Sequence, residues 1–109
     1  MNDIREPDDD CPDAPPAAPG ALVRVIDIVN QKGLHARASA KFVQTVERFD
    51  AEVRVTRCGE TVGGTSIMGL MMLSAGPGTS ITVEANGTQA AEVLAALERL
   101  IVDRFGEDE

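Results

Sequence analysis

Tryptophan and tyrosine are absent from this 109-residue chain, and phenylalanine occurs three times. A core must therefore be built from Val, Ile, Leu, Met and Ala. With 43% hydrophobic residues these allow one modest domain. No apolar run is long enough to cross a bilayer, so no membrane insertion is expected. The N-terminus lacks a basic region followed by an apolar stretch, which excludes a secretory signal. One histidine and two distant cysteines do not make a metal-ligand spacing, and neither a metal nor a cofactor is expected. Cys11 and Cys58 are too few for a disulfide framework. They read as two free thiols in a reducing cytoplasm.

The net charge of −8 is concentrated in the tails. Residues 1–21 hold six acids and one base, and residues 107–109 are all acidic. Residues 22–106 hold nine acids and nine bases, which cancel. That balance gives a nucleic-acid partner little support. The stretch 1–21, rich in Pro, Asp and Ala, cannot bury enough apolar surface to offset ordering and reads as a disordered acidic tail. Residues 22–106 read as the folded domain, and 107–109 as an acidic C-terminal end.

Within the domain the hydrophobic pattern alternates between two periods. "LVRVIDIV", Leu22 to Val29, is β-branched and reads as a strand. From Ala36 the apolar positions Ala36, Ala40 and Val43 fall at helical spacing, with Phe42, Val46 and Phe49 near the same stripe. This predicts a helix to about Arg48. Ala51, Val53 and Val55 alternate with polar residues in a half-buried strand. A Cys-Gly turn then leads to a short strand over Glu60 to Gly63. "SIMGLMML" reads as a helix of about two turns capped by Ser66. Ile81, Val83 and Ala85 alternate with Ser80, Thr82 and Glu84. Ala90, Val93, Leu94, Leu97 and Ile101 form the stripe of an amphipathic helix. The order β-α-β-β-α-β-α predicts an α+β fold: an open-faced two-layer sandwich, with a four-stranded antiparallel sheet covered on one face by three helices. Periodicity alone leaves a ferredoxin-like topology open.

The sole histidine, His35, stands in "NQKGLHARASAKF" just before the first helix, with Arg37 two residues on. The first turn of a helix carries unpartnered N–H groups and partial positive charge, which disfavour a cation there. A neutral ring nitrogen is then available to attack an electrophile. If that electrophile is phosphorus, the same N–H groups and the Arg37 guanidinium hold the resulting anion. Gly33 suits the tight turn that leads there. Spacing alone favours an ordinary surface histidine beside a solvated arginine.

"GLHARASAKFV", followed about thirty residues later by "SIMGLMML", closely resembles HPr, the histidine-containing phosphocarrier family of the bacterial sugar phosphotransferase system. The resemblance spans roughly residues 22–105 and leaves out the N-terminal tail. It implies that His35 is phosphorylated through Nδ1, that Arg37 steadies the phosphate, and that Ser66 is a regulatory phosphorylation site. It further implies that Ile67, Met68, Leu70 and Met71 form an apolar patch on which partners dock. The implied partners are enzyme I, a sugar-specific or regulatory acceptor domain, and a serine kinase or phosphorylase. The protein would be a cytoplasmic monomer, acting as a phosphoryl relay rather than an enzyme with its own turnover. Two residues depart from the family's usual pattern: Ala38 stands where proline is common, and Thr65 where lysine is common before the serine. A regulatory binding module without sugar transport would use the same residues, and an unrelated ferredoxin-like domain would leave His35 incidental.

Ser66 also has a purely local role, because an N-cap hydroxyl accepts a bond from a backbone N–H near Met68 or Gly69. Phosphate there would sit well at the helix start but would place strong negative charge in an apolar docking surface. Of the methionines, Met68 and Met71 are expected outward, and Met72 with Leu73 partly inward. Methionine suits a surface that fits several partners.

Overall fold

The computed structural model describes residues 19–106. Most of the acidic tail and residues 107–109 therefore lie outside the described residues. The elements are β1 (Leu22–Asp27), α1 (Ala36–Val46), β2 (Glu52–Arg57), β3 (Glu60–Gly63), α2 (Ile67–Met72), β4 (Ser80–Asn86) and α3 (Ala90–Val102). The strands form one sheet in the order β1-β4-β2-β3, antiparallel throughout. This is the expected β-α-β-β-α-β-α sandwich.

Alternation along the strands decides which way the sheet faces. Val53, Val55, Ile81, Val83 and Ala85 are buried on the helix side. The polar residues between them face away, where Arg54 pairs with Glu84 at 2.9 Å across β2 and β4. A one-residue slip would turn the whole apolar set to solvent, so burial fixes the register. Above the sheet, Phe42, Val43 and Val46 of α1 meet Val93, Leu94, Leu97 and Ile101 of α3. Each such side chain contributes about 1.5–3 kcal/mol on full burial. After α3 the chain turns through left-handed Arg104 and Phe105, which tucks Phe105 into the core. Lys41 Nζ donates to the Phe105 carbonyl at 2.5 Å and ties this turn to α1.

Two boundaries differ from the sequence reading. Helix α1 stops at Val46 rather than near Arg48, because the amides of Arg48 and Phe49 bond to the carbonyls of Thr45 and Val46, three residues back. That tighter turn redirects the chain into β2. Strand β1 ends at Asp27, and beyond it Ile28 bonds outside the regular ladder, to Thr79 and Gly78. The expectation of two free thiols is also corrected. Cys58 is disulfide-bonded in the turn between β2 and β3, and the chain's other cysteine, Cys11, lies outside the described residues.

Candidate functional site

Residues Asn30 to Gly33 make the turn that delivers His35 to α1. Gly33 has φ +61°, in the left-handed region. A Cβ placed there would come within 2.1 Å of the Ala75 carbonyl oxygen, so both the backbone angle and the space require glycine. Asn30, fully buried, donates through Nδ2 to the Gly33 carbonyl at 2.9 Å. The His35 amide donates to the same carbonyl at 2.9 Å. Leu34 is buried, and its amide donates to the Ala75 carbonyl at 3.0 Å. The residue before the histidine is thus held by core packing and by a bond to the loop after α2.

His35 is the N-cap of α1, in an extended conformation, and its side chain does not cap the helix. The first intrahelical bond runs from the Ser39 amide to the His35 carbonyl at 2.8 Å. Ser39 is buried with its Oγ on the Leu34 carbonyl, 3.2 Å away. The first turn of α1 holds no acidic side chain. Its leading amides, at Ala36 to Ala38, therefore lie beside His35 with no capping side chain among the described residues and no carboxylate of their own turn to neutralise them. The imidazole is half-exposed and borders a shallow cleft of about 270 Å³ lined by Lys32, Leu34, Met71, Ser74, Ala75 and Gly76. Arg37 is exposed and makes no hydrogen bond or ion pair among the described residues. Chemically, a ring nitrogen at the cleft, uncapped amides, and the nearby cations Lys32 and Arg37 suit transient custody of an anion.

Helix α2 supplies the other wall. Ser66 is its N-cap and accepts from the Gly69 amide at 3.0 Å, one of the two bonds the sequence pattern predicts. Gly69 packs against Ser66 and Val62; a Cβ there would lie 2.9 Å from each. Ile67, Met68 and Met71 are exposed, as is Met72 at 65%. Leu70 is fully buried and Leu73 nearly so. Two expectations are corrected here. Leu70 belongs to the core rather than to the outer patch, and Met72 faces out rather than in. Leu70 and Leu73, three residues apart, share the inward face, which leaves 67, 68, 71 and 72 on the outer one.

Sequence reasoning misses Lys32 and the Ser74–Gly76 loop as parts of the site. Lys32 is three residues before the histidine, close enough to suspect. The loop is some forty residues away, and nothing local marks it. Ser74 has φ +56°, a conformation its residue type does not advertise. Among the described residues no cluster of three or more His, Cys, Asp or Glu is placed to hold a metal ion, and no helix is long and apolar enough to cross a membrane.

Residues 22–103 match a family model described as the PTS HPr component phosphorylation site. The chain is 52% identical over 88 residues to the phosphocarrier protein HPr of Neisseria meningitidis serogroup A, an alignment covering 81% of this chain and 99% of that protein. It is 51% identical over 85 residues to the phosphocarrier protein HPr of Pseudomonas aeruginosa, covering 77% and 94%. Among solved structures, HPr from Thermoanaerobacter tengcongensis superposes with a TM-score of 0.77 at 38% identity, over 81% of this chain and 99% of that one. The HPr of Bacillus anthracis superposes with a TM-score of 0.71 at 37% identity, over 74% and 96%.

Proposed function

The chain belongs to the HPr family of phosphocarriers, and from that premise we propose that His35 takes a phosphoryl group from phosphoenolpyruvate by way of enzyme I and passes it to an acceptor domain. The observation that carries this reading is the position of His35: an N-cap whose ring leaves the helix amides uncapped, at the rim of a cleft. An imidazole engaged in capping would be committed to the backbone. In this reading Nδ1 forms the bond to phosphorus as the donor's bond breaks. The product carries up to about two negative charges, which the amides of the first turn and Arg37 offset. No metal and no cofactor takes part.

Ser66 is the regulatory site of the same reading. Its hydroxyl lies at the start of α2, where phosphate would meet partial positive charge from the backbone. The exposed row Ile67, Met68, Met71 and Met72 would then carry strong negative charge at its edge, and docking an apolar or acidic partner would require desolvating it. Residues 22–106 act as the carrier domain, a cytoplasmic monomer that enzyme I and the acceptor visit in turn.

The test is incubation of the full chain with enzyme I and phosphoenolpyruvate labelled in its phosphoryl group. We expect an acid-labile, base-stable label that is lost in His35→Ala. A chain left unlabelled under conditions that label an established HPr would overturn the reading.

A further inference from the structure

Among the described residues, Cys58, Ser74, Arg104 and Phe105 have a left-handed φ without being glycine. The fold accounts for three of them. Cys58 and Gly59 close the hairpin between β2 and β3, whose flanking residues Arg57 and Glu60 pair. Arg104 and Phe105 make the turn that places Phe105 in the core. Ser74 is different. It stands just past Leu73, the C-cap of α2, with its amide on the Met71 carbonyl at 3.2 Å. Glycine is the usual residue at such a position, because it adopts the angle without strain. Serine at φ +56° is strained there. Its side chain is exposed, and its hydroxyl bonds to no described residue. No contact of that side chain within the fold offsets the strain.

The angle does put a hydroxyl-bearing residue beside the imidazole. The Leu34 amide donates to the Ala75 carbonyl at 3.0 Å. His35 follows one partner of that bond and Ser74 precedes the other, and both border the cleft of about 270 Å³. Pockets that enclose a drug-sized ligand run to roughly 300–1,000 Å³, so this one suits a small group carried on its own rim. Beside the imidazole, Lys32 is the one charged residue among those that line it, and no carboxylate does. A hydroxyl rotates freely and donates to whichever acceptor arrives. An ammonium on a flexible stem follows the same acceptor.

We propose that Ser74 is a phosphate-binding residue of the carrier: with a phosphoryl group on His35 Nδ1, Ser74 Oγ donates a hydrogen bond to one of its oxygens, while Lys32 supplies positive charge from the same rim. This rests on the proposed role of His35. The phosphoryl group is then held from two sides, by the amides of α1 on one and by the loop after α2 on the other. Ser74 gains and loses no proton and forms no covalent bond. It adds a neutral donor that strengthens as the anion forms, and the strained backbone is the condition for presenting it.

The test uses the full chain, loaded in two ways. One is enzyme I with labelled phosphoenolpyruvate. The other is phosphoramidate, from which the imidazole takes the phosphoryl group as ammonia leaves, with no enzyme present. In Ser74→Ala and Ser74→Gly the share of phosphate that the chain holds at equilibrium with enzyme I should fall roughly twofold to tenfold, the scale of one hydrogen bond. Phosphorus NMR of the phosphoramidate-loaded variants should show the phosphoryl group losing its last proton at higher pH than in wild type, because a donor that favours the dianion is gone. Ser74→Asn keeps a donor and tolerates the left-handed angle, so it should recover most of both effects. Ser74→Gly should also melt a few degrees higher than wild type, since it removes the strain. Stability gained while phosphate is lost is a result that a purely structural serine does not give. Wild-type partition and wild-type titration in Ser74→Ala and Ser74→Gly would overturn the proposal, whatever the melts show. A wild-type chain that phosphoramidate loads and enzyme I does not refutes the phosphocarrier reading instead, and the titration then still decides the role of Ser74. A chain that neither donor loads overturns both.

Discussion

The Leu34 amide and the Ala75 carbonyl meet at 3.0 Å, joining the residue before His35 to the loop that follows α2. They are forty-one positions apart in the chain. The same carbonyl would lie 2.1 Å from any Cβ on Gly33. One backbone oxygen thus sets both the distance and the residue type at the approach to the site.

Replacing that glycine tests the relationship. Gly33→Ala must relieve the clash by moving the turn or the Ala75 loop, and it must hold alanine at a positive φ. We expect a loss of about 1–3 kcal/mol together with slower phosphorylation by enzyme I. Thermal denaturation checks the first part. A melting temperature within about 2 °C of wild type, the effect of only a few tenths of a kcal/mol in a domain of this size, would contradict it.

Arg37 should behave in the opposite way. It is exposed and holds nothing else in place among the described residues. Arg37→Ala is expected to change stability by no more than about 0.5 kcal/mol. Its effect should fall on transfer, slowed about tenfold to a hundredfold if one or two charge-assisted bonds to phosphate are lost. Rapid-quench phosphorylation beside a thermal melt separates the two; a clear drop in melting temperature with normal transfer would reverse the assignment.

Leu70 and Met72 offer a paired test of core against surface. Leu70→Ala removes a fully buried side chain and should cost about 2–5 kcal/mol. Met72→Ala should leave stability within about 0.5 kcal/mol. It should weaken enzyme I binding by roughly fivefold or more, the scale of one interface truncation. Urea melts and calorimetric titration of both variants decide the matter, and equal destabilisation would place both residues in the core.

At Ser66 two substitutions should pull apart what one residue does. Ser66→Ala removes the acceptor of the Gly69 amide and should lower stability by about 1 kcal/mol, with enzyme I affinity kept. Ser66→Asp supplies another capping oxygen, so stability should hold while the new charge weakens enzyme I binding about tenfold or more. If both variants bind enzyme I as wild type does, Ser66 has a capping role only.

Much of the architecture is written in periods that burial enforces. Val53 and Val55, Ile81 and Val83, and the α3 stripe from Val93 to Ile101 each repeat often enough to fix which side faces in. Helix α2 is six residues long, little more than one and a half turns, so its pattern does not fix the phase. That is why the pattern points Met72 inward along with Leu73, where packing buries Leu73 and turns Met72 out; Leu70, placed on the outer patch by the resemblance alone, goes to the core. The His35 motif is local and legible, as is the Ser66 cap. The second wall of the cleft is not, because Ser74 to Gly76 arrives there through tertiary packing. The disulfide at Cys58 escapes the sequence as well, because a count of cysteines carries no geometry.

The bond between Leu34 and Ala75 also bears on when the molecule becomes competent. A peptide copying residues 30–42 would contain the imidazole and the arginine, yet it would lack the oxygen that shapes the approach and the loop that forms the far wall. Under the proposed reading, an emerging or denatured chain offers enzyme I no assembled acceptor. Phosphate flow would then pass through completed domains alone, with quality control supplied by the geometry of the acceptor itself.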